Sequence, residues 1–176
     1  MKRAAFVLAL LPLGGCSALM VGEVGISHRT SPADTGVVAA VHAGAGTSAA
    51  ANDQSLAYGL GFSGRVRTYG GSLTALEPGL HVYLLMDRGP LSFYLRETNY
   101  VGLTFGEGSV GAVFSPTVQP GVLLCNDSRA ALCGSLSLPF GYDVGIDAPS
   151  SFHVGVSFGI GWGNVVSDEA LPHRLR

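Results

Sequence analysis

Large apolar residues alternate with small or polar ones along most of the chain, with a period of two residues. The pattern is clearest over 56–67, 80–87, 132–146 and 152–163, and weaker runs cover 20–28, 36–44, 91–105 and 109–125. A period of two is typical of β-strands, because successive side chains point to opposite faces of a sheet. Turn residues such as Gly70-Gly71 and Ala148-Pro149-Ser150 separate the runs. The pattern predicts an all-β fold, an antiparallel up-and-down barrel of about eight strands.

The two faces of these strands differ in kind, and the amino-acid composition bears on which of them points outward. One face is bulky and apolar, whereas the other consists of Gly, Ser and Ala with scattered charges. A soluble barrel would turn the bulky face inward, and a membrane barrel would turn it toward lipid. Charged residues make up only 12% of the chain, about half the usual share of roughly 25%. This deficit favours the membrane barrel, because a water-facing surface normally carries those charges.

The small face collects the ionisable residues, which predicts a polar network in the barrel lumen. Its members by parity are Glu23, Arg65, Arg67, Glu77, His81, Asp87, Arg96, Asp143 and His153. Three of these are arginines and four are acids, so they can neutralise one another. The interior of an eight-stranded barrel is only wide enough for side chains. We therefore expect a filled barrel rather than a pore.

Three features of the sequence count against insertion into a membrane. Pro116 and Pro120 lie in one predicted strand, where each removes a hydrogen-bond donor and implies a bulge or an edge. Glu97 and Asn99 fall on the apolar parity of their run, which predicts that this strand breaks or leaves the membrane there. Finally, a polar tail over 164–176 follows the last strand, whereas outer-membrane barrels usually end on an aromatic residue.

The amino terminus carries the pattern of an export signal. Lys2 and Arg3 precede an apolar run over 4–13, which is too short to span a bilayer as a helix but fits the hydrophobic region of a signal peptide. The following Leu13-Gly14-Gly15-Cys16 resembles the lipobox of bacterial lipoproteins.

That resemblance implies a signal peptide over 1–15, acylation of Cys16 with fatty acids such as palmitate, and a lipid anchor. Ser17 after the cysteine is typical of sorting to the outer membrane in enterobacteria. The mature protein would then comprise a barrel domain over 16–163 and the tail over 164–176. An ordinary signal cut after Ser17-Ala18, with Cys16 lost, is the alternative.

The two other cysteines, Cys125 and Cys133, fall on the small face of neighbouring predicted strands, with turn residues between them. Because exported proteins fold in an oxidising compartment, we expect these two residues to form a disulfide. A metal site is the rival interpretation, but no second Cys or His pair has ligand spacing.

Candidate motifs for catalysis or cofactor binding are weak. Gly59-Leu60-Gly61-Phe62-Ser63-Gly64 matches a dinucleotide-binding string but lies inside a strand pattern, and the string requires a following helix. Its glycines are better explained by a crowded barrel interior. His81, His153 and Ser157 share the small face with Asp87 and Glu77, a set that in principle could cleave a lipid ester.

The functional expectation is therefore non-enzymatic. The body resembles small eight-stranded outer-membrane β-barrels, which implies a structural role, or loops presented to an envelope protein partner. No cofactor is expected. Removal of Lys2 and Arg3 takes the net charge from -2 to -4, so a nucleic-acid partner is not expected. The alternatives are a lipid-tethered soluble barrel with an apolar ligand inside, and an outer-membrane lipid hydrolase.

Overall fold

The computed structural model describes residues 15–51, 54–70, 73–88, 91–106, 109–126, 131–145 and 150–165. Predictions on residues 1–14 and 166–176, which include most of the signal peptide and of the tail, lie outside the described residues. The described residues form nine strands: β1 Gly15–Thr30, β2 Ala33–Ala51, β3 Gln54–Tyr69, β4 Leu73–Arg88, β5 Leu91–Gly106, β6 Ser109–Cys125, β7 Ala131–Ser137, β8 Phe140–Gly145 and β9 Ser151–Val165.

The strands form one closed antiparallel sheet. Consecutive strands pair from β1 to β6, β6 pairs with both β7 and β8, these pair with β9, and β9 pairs with β1. A path of paired residues that starts at Gly15 returns to β1 at Gly25, ten residues further along. This stagger tilts the strands by about 35–45° from the barrel axis. The prediction of an all-β up-and-down barrel is confirmed.

The strands β7 and β8 are two halves of one barrel strand, interrupted at Leu138-Pro139. Pro120 accepts a hydrogen bond from Leu138 N at 3.0 Å but has no N–H to return. Val118 pairs with Phe140 and Gly121 with Ser137, so both strands advance by three residues across the interruption. The barrel therefore has eight strands around its wall, as the sequence predicts.

The expected bulge or edge at Pro116 and Pro120 is wrong. Strand β6 runs unbroken through both prolines, keeps one register with β5, and has a neighbour on each side. The two missing N–H groups interrupt the backbone hydrogen bonds between β6 and its neighbours β7 and β8, but neither strand contains an extra residue there. Strand β5 likewise continues through Glu97 and Asn99, so the break predicted there is also wrong. Both side chains are exposed on the outer wall.

The bulky face of the sheet points outward. Leu60, Phe62 and Ile160 are 69%, 74% and 68% exposed, and their strand neighbours face a polar interior. The alternative of an apolar ligand inside the barrel is therefore wrong, because the apolar side chains are on the other side of the wall. In the described part of the chain, no helix has the length and hydropathy needed to cross a bilayer.

The links between strands are short at both ends of the barrel. The longest, over 126–130 and 146–150, have five residues each. Links of this length leave little chain with which to form an extended recognition surface. The expectation that the barrel presents loops to a partner stays a prediction.

Candidate functional site

The structure places eight of the nine residues of the predicted lumen network in the barrel interior, each at most 8% exposed. These residues are Glu23, Arg65, Arg67, Glu77, His81, Arg96, Asp143 and His153. Asp87 shares their parity on β4, but its side chain is outside the described residues. The eight residues fall into two groups, which we call the Glu77 cluster and the Glu23 cluster.

The Glu77 cluster is centred on a carboxylate with no exposed surface. Arg65 donates from Nε to Glu77 Oε2 at 2.8 Å and from Nη2 to Oε1 at 3.0 Å. Arg67 donates to the same two oxygens. The register of β3 with β4 places Arg65 directly opposite Glu77. The bidentate pair of these two residues therefore follows from the alignment of the strands, and Arg67 reaches Glu77 from the position opposite Ala75. Bidentate arginine–carboxylate contacts are among the strongest hydrogen bonds in proteins.

A second acid extends the Glu77 cluster across the lumen. Arg67 donates from Nη1 to Asp143 Oδ2 at 2.8 Å and from Nη2 to Oδ1 at 3.1 Å. His153 Nδ1 lies 3.2 Å from Asp143 Oδ1, and its Nε2 lies 3.3 Å from Thr117 Oγ1. The guanidinium of Arg65 also stacks 3.9 Å above the centre of the Tyr100 ring. The Glu77 cluster therefore joins strands β3, β4, β5, β6, β8 and β9.

The Glu23 cluster occupies the neighbouring section of the lumen. Glu23 accepts hydrogen bonds from Tyr94 Oη at 2.9 Å, Arg96 Nη2 at 3.1 Å and Gln119 Nε2 at 2.5 Å. His42 Nε2 lies 3.5 Å from Glu23 Oε2. This cluster therefore joins β1, β2, β5 and β6 around one carboxylate.

Charges balance within each cluster. Arg65 and Arg67 face Glu77 and Asp143, while Arg96 faces Glu23. A lumen cavity between the two clusters has a volume of only about 20 Å³, which is room for a single water molecule. The described interior is thus a plug of paired charges rather than a channel.

One arrangement in the Glu23 cluster resembles a catalytic triad. His42 Nδ1 lies 2.7 Å from Ser63 Oγ, and the other ring nitrogen faces Glu23. However, Ser63 also lies 2.7 Å from His81 Nδ1 and is only 7% exposed. A nucleophile needs access to its substrate, and the barrel wall encloses this serine.

The hydrolase set suggested by the sequence is not assembled. His81 contacts Ser63, whereas His153 contacts Asp143 and Thr117. Among the described contacts, Ser157 is not a hydrogen-bond partner of either histidine. The described residues also contain no group of three His, Cys, Asp or Glu side chains arranged to hold a metal ion.

Sequence reasoning missed several interior residues. His42, Tyr94, Tyr100 and Gln119 are each at most 4% exposed and take part in the two clusters. The alternation does indicate that these side chains point inward. For example, His42 lies between Val41 and Ala43, which both point outward. The runs that contain them alternate weakly, and tyrosine is bulky enough to be assigned to the apolar face.

The glycines of the 59–64 string have two different surroundings. A Cβ on Gly59 would lie 2.7 Å from the Tyr83 ring, and one on Gly61 would lie within 3 Å of the His81 ring. These two glycines leave room for the large interior side chains. Gly64 faces outward with no atom near its Cβ position, so crowding does not explain that glycine.

The predicted disulfide is confirmed. Cys125 and Cys133 are paired residues of β6 and β7 and are joined by an S–S bond of 2.05 Å. The bond links the two strands at the end of the barrel where the five-residue link over 126–130 connects them.

Comparisons with known proteins give a fold and no family. No family model matches the chain, and no curated protein matches it. Among solved structures, it is similar to Neisserial surface protein A (NspA), with a TM-score of 0.58 and 13% identity over 84% of this chain and 98% of that one. Ail, the attachment invasion locus protein of Yersinia pestis, aligns over 85% of this chain and 99% of that one at 12% identity. Its TM-score of 0.29 is too low to carry an argument. The NspA likeness defines the class, a small closed antiparallel β-barrel.

Proposed function

We propose that this chain is a non-enzymatic outer-membrane lipoprotein whose filled barrel has a structural role in the cell envelope. The observation that carries the proposal is the orientation of the wall. Large apolar side chains cover the outside, and paired charges fill the inside. In this orientation the polar groups contact only other protein groups, and the apolar outer surface can contact the hydrocarbon chains of a membrane.

Exposed aromatic residues support the membrane location. Tyr58, Phe93 and Trp162 lie toward one end of the barrel, and Phe105, Phe114, Tyr142 and Phe152 lie toward the other. The exposed rings of Phe62, Phe140 and Phe158 lie between these two groups, within the apolar band. Ten residues separate Phe152 from Trp162, which is an axial distance of about 25 Å for a tilted strand. Two aromatic girdles around an apolar band of this height are characteristic of membrane barrels.

The position of Cys16 suits an anchor. Its backbone lies at the start of β1, four residues before Met20, which pairs with Trp162. Acyl chains on Cys16 would therefore start near the girdle that contains Trp162. Two or more acyl chains hold a protein stably at a membrane, whereas one gives only marginal binding.

The short links and the enclosed Ser63 favour a structural role over loop-mediated recognition or lipid hydrolysis. The Glu23–His42–Ser63 contacts are accounted for as part of the filling of the lumen, because each member is buried against other interior side chains.

The test separates insertion from anchoring. A chain with a non-lipidated signal and Cys16→Ser is expressed, and its envelopes are extracted with alkaline carbonate. We expect loss of palmitate labelling relative to wild type, and retention of folded, heat-modifiable protein in the membrane pellet. Release as a soluble folded protein would contradict insertion, and an unlabelled wild-type chain would contradict lipidation.

A further inference from the structure

The outer wall contains one polar interruption in an otherwise apolar band. Glu97 and Asn99 are two residues apart on β5 and both point outward. Glu97 pairs across the sheet with Val82 and Val118, so its surroundings are apolar. Among the described side chains, Glu97 is the only carboxyl group that points outward from this band.

The depth of this pair makes its exposure costly. Glu97 is four residues from Phe93 of one girdle and eight from Phe105 of the other. For a tilted strand this places the carboxyl group about 10 Å inside the apolar band. Within the described part of the chain, neither Glu97 nor Asn99 has a hydrogen-bond or ion-pair partner. Polar groups at membrane depth are normally paired with one another or with a partner, because lipid chains cannot hydrogen-bond to them.

The pair is chemically complementary to itself. A carboxamide donates hydrogen bonds, and a carboxylate accepts them. A second copy of the same surface therefore supplies an amide donor for Glu97 and a carboxylate acceptor for Asn99. Symmetric dimers use the same patch on both subunits and are the commonest oligomers.

Resting on the membrane location proposed above, we propose that the wall around Glu97 and Asn99 is the contact surface of a homodimer. Two copies in one membrane share the same orientation, so their two-fold axis is parallel to the membrane normal. The axis then gives two identical contacts, in each of which the Asn99 amide of one copy donates to the Glu97 carboxylate of the other.

The surroundings of the pair permit this approach. Val82 lies opposite Glu97 on β4, and Pro116 lies opposite Asn99 on β6. Because the strands are tilted, these two residues lie below and above the polar pair along the membrane normal. The links at both barrel ends are at most five residues long. The walls of two copies can therefore meet without long loops between them.

The first experiment measures self-association of the full chain by sedimentation equilibrium in density-matched micelles. We expect a dimer. We expect the Glu97→Leu, Asn99→Leu double variant to dissociate about tenfold more readily, because two polar contacts within the membrane are lost and each contributes modestly. Thr47→Leu is the control, a polar residue on the outer side of β2 that pairs with Tyr58 of a girdle and should leave the dimer unchanged.

A second experiment locates the contact in membranes. In a Cys16→Ser background, Val82→Cys should cross-link to a second copy with a short bis-maleimide. Val24→Cys, on β1 across the barrel and 62% exposed, should not. If the folded protein stays in carbonate-washed membranes but is monomeric at all concentrations, the dimer proposal is refuted and the membrane location stands. So would a dimer unaffected by the double variant, or cross-linking of Val82→Cys to another protein instead of to itself. Release of the folded protein by carbonate would instead refute the membrane location.

Discussion

At the scale of single residues, the interior depends on Glu77. This carboxylate holds two arginines that are themselves 5% and 2% exposed. A buried charge is tolerated only when it is paired and hydrogen-bonded. Loss of the carboxylate would leave Arg67 with Asp143, and it would leave Arg65 with two hydroxyl groups and the Tyr100 ring but no acid.

The corresponding prediction concerns Glu77→Gln. We expect the free energy of unfolding to fall by about 3 kcal/mol, because removal of one partner from a buried ion pair leaves an uncompensated charge. This free energy is measured by urea-induced unfolding of the barrel in micelles, with heat-modifiable electrophoretic migration as the readout of the folded fraction.

Glu97→Gln is the matched control, since the same atoms change on the outer wall. It should leave the free energy of unfolding of the monomer unchanged or raise it, because a neutral amide is less costly than a carboxylate in the apolar band. Equal effects at Glu77 and Glu97 would show that the interior pairing contributes little to stability.

At the scale of the strands, the barrel holds its register through residues that usually disrupt sheets. Pro116 and Pro120 interrupt the ladder on one side of β6 only, and Glu97 and Asn99 leave the β5 backbone pairs intact. The closed sheet imposes this register, because a slip of one residue would turn the apolar face of a strand toward the lumen. Each strand is therefore fixed by both of its neighbours.

A pair of valine variants tests which solvent the outer wall faces. Val24 lies mid-strand in β1 and is 62% exposed, whereas Val110 is the second residue of β6 and is 63% exposed. We expect Val24→Arg to destabilise the barrel in lipid by about 2–4 kcal/mol and Val110→Arg by about 0–1 kcal/mol, because the cost depends on depth in the bilayer.

Stability is measured by urea-induced unfolding from lipid vesicles. In water, two equally exposed valines should tolerate arginine equally well. Equal effects of the two variants would therefore contradict the lipid-facing wall.

At the scale of the whole molecule, the barrel is closed, electrically balanced and filled. The cavity of about 20 Å³ is lined by Arg65, Arg67 and Tyr100 among others. A water-filled passage in membrane barrels is found in much larger rings of 16–18 strands. A structural element of the envelope needs no such passage.

We therefore expect no conductance. Purified protein reconstituted into a planar lipid bilayer should give no stepwise current, while a 16-stranded porin in the same chamber gives open channels. Insertion is verified separately by carbonate-resistant, heat-modifiable protein in vesicles of the same lipid. Stepwise openings from the inserted barrel would show that the Glu77 and Glu23 clusters do not close the lumen.

The sequence by itself determined the strand pattern, the two faces and the pairing of the cysteines. Alternation between residues such as Phe158 and Ser157 is a local property, since neighbouring side chains on a strand must point to opposite faces. Parity likewise assigned Glu77 and Arg96 to one face. Cys125 and Cys133 could be matched because only a short turn separates their strands.

The tertiary structure alone decided which charges meet and what the prolines do. Alternation is the same in a soluble barrel and in a membrane barrel, and the low charge content favoured an outward apolar face, which the 69% exposure of Leu60 confirms. The contact between Arg67 and Asp143 joins positions 76 residues apart, and no local pattern contains it. Closure also kept β5 and β6 in register past Glu97 and Pro120, because a strand with neighbours on both sides cannot shift alone.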